Sequence, residues 1–147
     1  MVWKQNTAKK EKMKERVLGI DFGGVNMGLA LGVSGLTMPL QIIPATNQNT
    51  AINAIARVVY ENKITKIIIG LPVTAEGKLT TQALEVKKFI KLLSVRIKIP
   101  IVLVNEFLST REALTEAIGI GFSKKRRSRI DHLSAEVVLR RYFESSH

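Results

Sequence analysis

The sequence predicts an α/β protein with one mixed five-stranded sheet flanked by helices. Three short apolar segments that favour β structure follow one another in the first third of the chain. Beyond them, amphipathic helical segments alternate with continuous apolar runs of the kind found in strands buried on both faces. A length of 147 residues is enough for one hydrophobic core. The order βββαβαβαα therefore predicts an antiparallel meander to which helical crossovers add parallel strands.

The meander is predicted from three segments separated by tight turns. RVLGIDF starts at Arg16 and runs into Gly23 and Gly24, where the chain must turn sharply. NMGLALGVS and GLTMPLQIIPA follow, with Ser34 and Gly35 as the hairpin turn between them. Connections this short favour antiparallel pairing of neighbouring strands.

The alternating part begins with a helix that Asn49 or Thr50 caps and that ends near Asn62. TKIIIG is the next strand, and a second amphipathic helix is expected from Thr80 to about Val95. IPIVLVNE is the last strand. Parallel strands added in this way place their carboxyl ends at one edge of the sheet, where ligands bind in such folds.

Two further helices are predicted near the C-terminus. Ser109 and Glu112 have the spacing of a capping box and open a helix through about Ile118. The last helix is expected from Asp131 to Phe143. The segment GIGFSKKRRSR between these helices carries glycines and five basic residues without an apolar period, so we expect a mobile loop there.

The composition indicates a polyanionic partner. The formal net charge is +11 and the sequence pI is about 10.2, and clustered Lys and Arg bind phosphates by releasing counterions. Residues 1–15 are expected to form a basic flexible tail and residues 16–147 a single domain. The sequence has no cysteine, which excludes disulfides and thiolate metal sites. Since no segment has the length and apolarity of a membrane span, we expect a cytoplasmic location.

Three carboxylates follow or begin elements that should pack in the core: Asp21, Glu106 and Asp131. Each has an ordinary explanation alone, since Asp21 could be a turn residue, Glu106 a solvated strand end, and Asp131 half of a capping box with Ser128. Together they would form one acidic cluster, which needs a cation among its carboxylates. Hard oxygen ligands of this kind suit Mg²⁺ or Mn²⁺, and such a site beside basic surface predicts phosphodiester chemistry.

Four motifs then carry a family resemblance: GIDFG, GLPVTAEG, NEFLSTREA and DHLSAEVVLRRYF. In this order and spacing the chain, from Arg16 onwards, resembles the YqgF (RuvX-like) family, whose members are described as Holliday-junction resolvases or as pre-16S rRNA nucleases. The resemblance implies a ribonuclease H-like fold for a nuclease domain. It also implies that the catalytic, metal-binding residues are Asp21, Glu106 and Asp131. The family's GLP motif, expected to be a substrate-side loop near the site, corresponds to Gly70, Leu71, Pro72 and Gly77.

The chain also departs from the family's pattern. Asn105 and Phe107 stand where the family usually has Asp and Arg, and Val25 and Asn26 stand where it often has a basic residue. We therefore expect these changes to affect binding of the scissile phosphate rather than the metal site. The basic segment before Asp131 is expected to bind the nucleic-acid backbone, through Lys124, Lys125, Arg126, Arg127 and Arg129.

Several functional alternatives follow from the sequence. The expected partner is precursor rRNA or branched DNA, with ribosomal particles as a further partner. A resolvase needs two active sites and hence a homodimer, whereas an end-trimming ribonuclease acts as a monomer. DFGGVNMGLA also resembles the phosphate-binding turn of sugar kinases and actin, but those proteins close two lobes around the nucleotide and this chain has the length of one. A non-catalytic rRNA-binding or other nucleic-acid-binding protein on the same fold is the remaining alternative.

Overall fold

The computed structural model describes residues 15–23, 25–74, 76–107 and 124–145, except the side chains of Phe107 and of residues 124–134. The predicted tail up to residue 14 and the predicted helix from Ser109 to Ile118 lie outside the described residues. In chain order the elements are β1 (Arg16–Phe22), β2 (Asn26–Val33), β3 (Leu36–Pro44), α1 (Gln48–Glu61), β4 (Lys66–Val73), α2 (Thr81–Arg96), β5 (Ile101–Phe107) and α3 (Lys124–Ser145). None of the helices in these ranges is long and apolar enough to cross a membrane.

The five strands form one mixed sheet in the order β3-β2-β1-β4-β5. β1 pairs with β2, and β2 with β3, in antiparallel fashion, while β4 lies parallel to β1 and to β5. The predicted meander followed by parallel strands is therefore confirmed. The chain reverses from β2 to β3 at Ser34 and Gly35, whose φ angles are 54° and 81°. Two positive φ angles in a row match the twist of a tight hairpin.

Both helices of the alternating part begin at a side-chain cap. Asn47 caps α1, its Oδ1 accepting a hydrogen bond of 3.1 Å from the Thr50 backbone N–H. The helix thus starts just before the predicted caps Asn49 and Thr50, which lie in its first turn. Thr80 caps α2 as expected, accepting at 3.1 Å from the Ala83 N–H. Its hydroxyl also donates at 3.0 Å to the carbonyl oxygen of Pro72, which fixes the start of α2 to the end of β4.

The sheet is covered on both faces, and each face has its own core. α1 and α2 pack on the face that includes Leu18 and Ile20 of β1. α3 packs on the opposite face, where the buried cluster consists of Val17, Ala30, Ile68, Ala135, Val138 and Leu139. Because side chains alternate along a strand, Asp21 lies on the α3 face with Val17. The same alternation places Glu106 on that face with Val102 and Val104, which pack against the α3 cluster.

The last helix differs from its prediction. It begins at Lys124 rather than at Asp131, so the expected mobile loop is wrong for the segment from Lys124 onwards. Lys and Arg are good helix formers, and the missing apolar period only means that these first turns have no apolar face to bury. Asp131 consequently lies within the helix. The explanation of Asp131 as part of a capping box with Ser128 is also wrong, because the helix starts upstream of both residues.

Candidate active site

Asp21 lies at the carboxyl end of β1, on the face that α3 covers. It is half-buried and sits opposite Gly28 in the antiparallel register with β2. It comes directly after Ile20, the last β1 residue that pairs with β4. The turn that follows is closed by a 2.9 Å hydrogen bond from the Gly23 N–H to the Asn26 carbonyl oxygen. Asp21 is thus a strand residue held next to the turn rather than a member of it.

Glu106 lies at the carboxyl end of β5, opposite Pro72 of the neighbouring strand β4. Its side chain is only 18% exposed, and its Oε1 is buried from water. A Cβ atom on Gly70 would lie 3.2 Å from Glu106 Cγ and 3.4 Å from Glu106 Cδ. Gly70 therefore leaves the space in which the Glu106 carboxylate lies across β4.

This placement brings Glu106 towards Asp21. The two residues stand on β1 and β5, the two neighbours of β4, at the carboxyl ends of parallel strands. Neighbouring strands are about 4.8 Å apart, so β1 and β5 are separated by about twice this distance. The Glu106 side chain, which reaches over β4, spans about half of the distance between β5 and β1. The expectation that Asp21 and Glu106 lie at carboxyl ends of strands on one edge of the sheet is confirmed. The structure adds that both belong to the face that α3 covers.

Helix α3 packs very closely on this face. A Cβ atom on Gly19 would lie 2.5 Å from Leu139 Cγ and 3.0 Å from the Ala135 carbonyl oxygen. Further towards the start of β1, the Phe143 ring lies against Gly32, which pairs with Val17. The helix therefore runs antiparallel to β1, and its N-terminal part extends towards the edge that carries Asp21.

In the described part of α3, the basic side chain of Arg141 reaches Glu106. Arg141 Nε lies 3.6 Å from Glu106 Oε1, and the Arg141 side chain is 43% exposed. Sequence reasoning missed this residue because its partner is on a distant strand. It likewise missed the role of Gly70 as a space for Glu106. The local sequence carries no signal for either contact, because both depend on how α3 packs on the sheet.

The remaining predicted site residues on α3 are Asp131 and the basic residues that precede it. The backbone of Asp131 lies in α3, four residues before Ala135, but its side chain is outside the described part. The same holds for the basic residues predicted to bind nucleic acid, which occupy the first turns of the helix: Lys124, Lys125, Arg126, Arg127 and Arg129.

The GLP motif is not a loop. Gly70, Leu71 and Pro72 all belong to β4, and Leu71 is 5% exposed in the core on the α1 and α2 face. The prediction of a loop is wrong for these three residues because parallel pairing with β5 continues through Val73. Their contact with the substrate stays a prediction. Gly77 does lie in a turn, with φ of 81° and a 2.8 Å hydrogen bond from its N–H to the Thr74 carbonyl oxygen.

The donor set of this edge suits a hard divalent cation. Among the described side chains, no group of three or more His, Cys, Asp or Glu residues comes together as a metal site. Two of them, Asp21 and Glu106, place carboxylates on the same face and edge, and Asp131 would add a third from α3. Carboxylate oxygens are the ligands that Mg²⁺ and Mn²⁺ prefer.

The sequence is similar to a family model and to named relatives over most of its length. Residues 15–145 match the family model RuvX, described as Holliday junction resolvase. A relative from Roseiflexus sp. (strain RS-1), named "Putative pre-16S rRNA nuclease", is 33% identical over 133 residues, covering 88% of this chain and 94% of its own. A relative from Orientia tsutsugamushi (strain Ikeda) with the same name is 37% identical over 131 residues, covering 86% and 82% of the two chains.

The fold is also similar to that of solved RuvC structures. The structure of Thermus thermophilus RuvC in complex with a Holliday junction substrate matches with a TM-score of 0.52 at 11% identity, covering 86% of this chain and 91% of that chain. A second Thermus thermophilus RuvC structure matches with a TM-score of 0.51 at 13% identity, covering 89% and 95%. At these identities the likeness concerns the fold alone, and the predicted ribonuclease H-like fold is confirmed.

Proposed function

Since the chain belongs to the RuvX family of Holliday junction resolvases, we propose that it is a metal-dependent nuclease that hydrolyses phosphodiester bonds. The observation that carries the proposal is the placement of Glu106 across Gly70 towards Asp21, on the sheet face that α3 covers. Two carboxylates on one face at the carboxyl ends of parallel strands repel each other unless a cation offsets their charge, and Mg²⁺ or Mn²⁺ fits this donor set.

Asp131 is the third proposed ligand, and the packing of α3 supports it. Ala135 and Leu139 lie against Gly19, and α3 runs antiparallel to β1. One helical turn of four residues rises about 6 Å, and two strand residues advance about 6.6 Å. Asp131 lies four residues before Ala135 in α3, and Asp21 lies two residues after Gly19 in β1. The two aspartates are therefore at about the same position along the strand direction. The proposed site joins Asp21, Glu106 and Asp131.

These side chains would act by holding and orienting the reactants. When bound, the metal supplies an activated water and stabilises the leaving oxygen of the phosphodiester. Asp21 is held at the end of β1, and Asp131 would be carried by a helix that packs on the sheet from Ala135 onwards. Sites built on such elements favour a precise geometry. The narrow space over Gly70 restricts Glu106 in the same way.

The proposed substrate is the precursor of 16S rRNA, and the proposed role is trimming of its end in the cytoplasm, free or in ribosomal particles. The support is that relatives covering most of this chain carry the pre-16S rRNA nuclease name. The basic first turns of α3, with Lys124, Lys125, Arg126, Arg127 and Arg129, would bind the phosphate backbone beside Asp131. Gly77 and its turn, next to the end of β4, are a proposed substrate contact.

A second candidate is Holliday junction resolution, which the description of the family model favours. It would require a homodimer that presents two sites to one junction, whereas rRNA trimming works with a monomer. One experiment separates these functions and also the alternative of a non-catalytic binder. The purified protein is incubated with Mn²⁺ and either a precursor 16S rRNA fragment or a four-way DNA junction, and the products are mapped.

Asp21→Asn is the matched control in this assay, because it keeps the side-chain shape and removes the charge that holds the metal. We expect cleavage to fall by at least about a hundredfold while the far-ultraviolet circular dichroism spectrum is unchanged. Wild-type cleavage of the RNA alone supports the rRNA role, and cleavage of the junction alone supports the resolvase role. Tight binding of either substrate without cleavage by the wild type would contradict the nuclease proposal and support a binder.

A further inference from the structure

Among the α3 side chains that the structure describes, from Ala135 onwards, Arg141 contacts Glu106, and its position does not fit an ordinary surface ion pair. Arg141 Nε lies 3.6 Å from Glu106 Oε1, joining α3 to β5. The neighbouring Arg140 makes an ordinary pair instead, with Nη2 3.5 Å from Glu136 Oε2 one turn away on the same helix. The partner of Arg141 is an 18% exposed carboxylate that lies over Gly70.

The direction of the two side chains puts the Arg141 charge at the site. Side chains on a helix lean towards its N-terminus, which in α3 is the end that carries Asp131. Val138, one turn before Arg141, packs over Gly70 beside the Glu106 side chain. Arg141 therefore approaches Glu106 from the helix side, at the carboxylate that the proposed function assigns to the metal.

We propose that Arg141 is an internal counter-cation of the site, which neutralises Glu106 in the metal-free protein and competes with the metal for it. This inference rests on the proposed function, because it concerns the same carboxylates. A guanidinium and a divalent cation next to one carboxylate repel each other, and the repulsion is strong where water is excluded. Arg141 must move away from Glu106, or weaken its pairing, as the metal binds.

The role has two consequences. In the metal-free protein Arg141 offsets the repulsion among the carboxylates, so the site stays folded without metal. In return, the metal concentration needed to fill the site is higher than the carboxylates alone would require. Arg141 is in these terms a positioning residue, since it acts on the metal through Glu106.

The test compares Arg141→Met with Arg140→Met, which removes the same charge from the next residue of the helix. Free Mn²⁺ is measured by electron paramagnetic resonance during titration of each protein, and thermal unfolding is followed in EDTA and in saturating Mn²⁺. For Arg141→Met we expect half-saturation at roughly three- to tenfold lower Mn²⁺, the size expected of a partly buried ion pair. We also expect a lower unfolding temperature in EDTA that saturating Mn²⁺ restores. Arg140→Met should match the wild type in both measurements.

Further variants guard against an effect of shape alone. Arg141→Lys keeps the charge and should keep the wild-type Mn²⁺ requirement, and Arg141→Gln replaces Arg141→Met if the latter does not fold. Equal Mn²⁺ affinity in the wild type and Arg141→Met, or weaker binding by Arg141→Met, overturns the counter-cation role and leaves the nuclease proposal standing. A wild-type protein that binds no Mn²⁺ and cleaves no substrate overturns both.

Discussion

At the scale of single residues, the space over Gly70 controls the position of Glu106. A Cβ atom there would lie 2.8 Å from Val138 Cγ2 and 3.2 Å from Glu106 Cγ. In Gly70→Ala, either the helix or the glutamate must shift, and we expect a stability loss of about 1–3 kcal/mol, typical of overpacking. Because Glu106 is displaced, we also expect Mn²⁺ affinity and cleavage to fall at least about tenfold.

The control for this prediction is Ile68→Val. Ile68 is fully buried in the cluster under α3, and it lies two residues before Gly70, on the same face of β4. The substitution should cost about 0.5–1.5 kcal/mol by leaving a small cavity, without touching Glu106. Urea unfolding and Mn²⁺ titration of the two variants separate loss of stability from loss of the site. If Gly70→Ala binds Mn²⁺ as the wild type does, the glycine has only a packing role.

At the scale of elements, the sequence predicts strands well and the last helix poorly. The alternation in RVLGIDF groups Asp21 with Val17, and that in IPIVLVNE groups Glu106 with Val102, because the side-chain period of a strand is two. That both groups face α3 follows only from the packing. The start of α3 could not be placed, since Lys124 to Arg129 have high helix propensity but no apolar period. The glycine and proline of the GLP motif predict a loop, although pairing with β5 holds Gly70 and Pro72 in β4. The Arg141–Glu106 contact depends on tertiary packing and has no local signal.

The helical start of α3 sharpens the prediction for nucleic-acid binding. Replacing Lys124, Lys125, Arg126 and Arg127 by Ala removes four charges from one short helical stretch and keeps a good helix former at each position. We expect the slope of log affinity against log salt to flatten by roughly two to four units, because each phosphate contact contributes close to one unit. The measurement is a salt titration of RNA binding in Ca²⁺, in place of the catalytic metal.

A variant with the same change in net charge tests whether position matters. Lys87, Lys91, Arg96 and Lys98 are exposed on or just after α2, which covers the opposite face of the sheet. Replacing these four by Ala should change the salt slope by less than about one unit. Equal flattening in both variants would mean that the net charge of the molecule, rather than the start of α3, determines binding.

At the scale of the whole molecule, the end of the sheet opposite the site is held by a separate polar contact. Lys66, the first residue of β4, pairs with Val17 near the start of β1. Its Nζ lies 2.7 Å from Glu15 Oε1 and donates a 2.8 Å hydrogen bond to the Tyr142 hydroxyl. It thereby joins the chain before β1 to the last helix. Binding functions are expected at the carboxyl ends of the strands and stability contributions at this amino end.

The contacts of Lys66 predict how the free energy of unfolding depends on pH. Hydrogen bonds to Glu15 and then Tyr142 raise the pKa of Lys66 above its usual value, so the folded state holds this proton more tightly than the unfolded chain does. The contribution is therefore fully present below the ordinary lysine pKa and is lost as the pH rises through the folded-state value. Lys66→Met should lower the free energy of unfolding by about 1 kcal/mol at pH 7 to 9, and its deficit should shrink above about pH 10.5.

Lys87→Met, at an exposed position of α2, should show no such deficit, and Mn²⁺ binding should be the same in both variants. Urea unfolding at a series of pH values measures the deficit, and one that grows with alkaline pH would contradict the assigned pairing of Lys66.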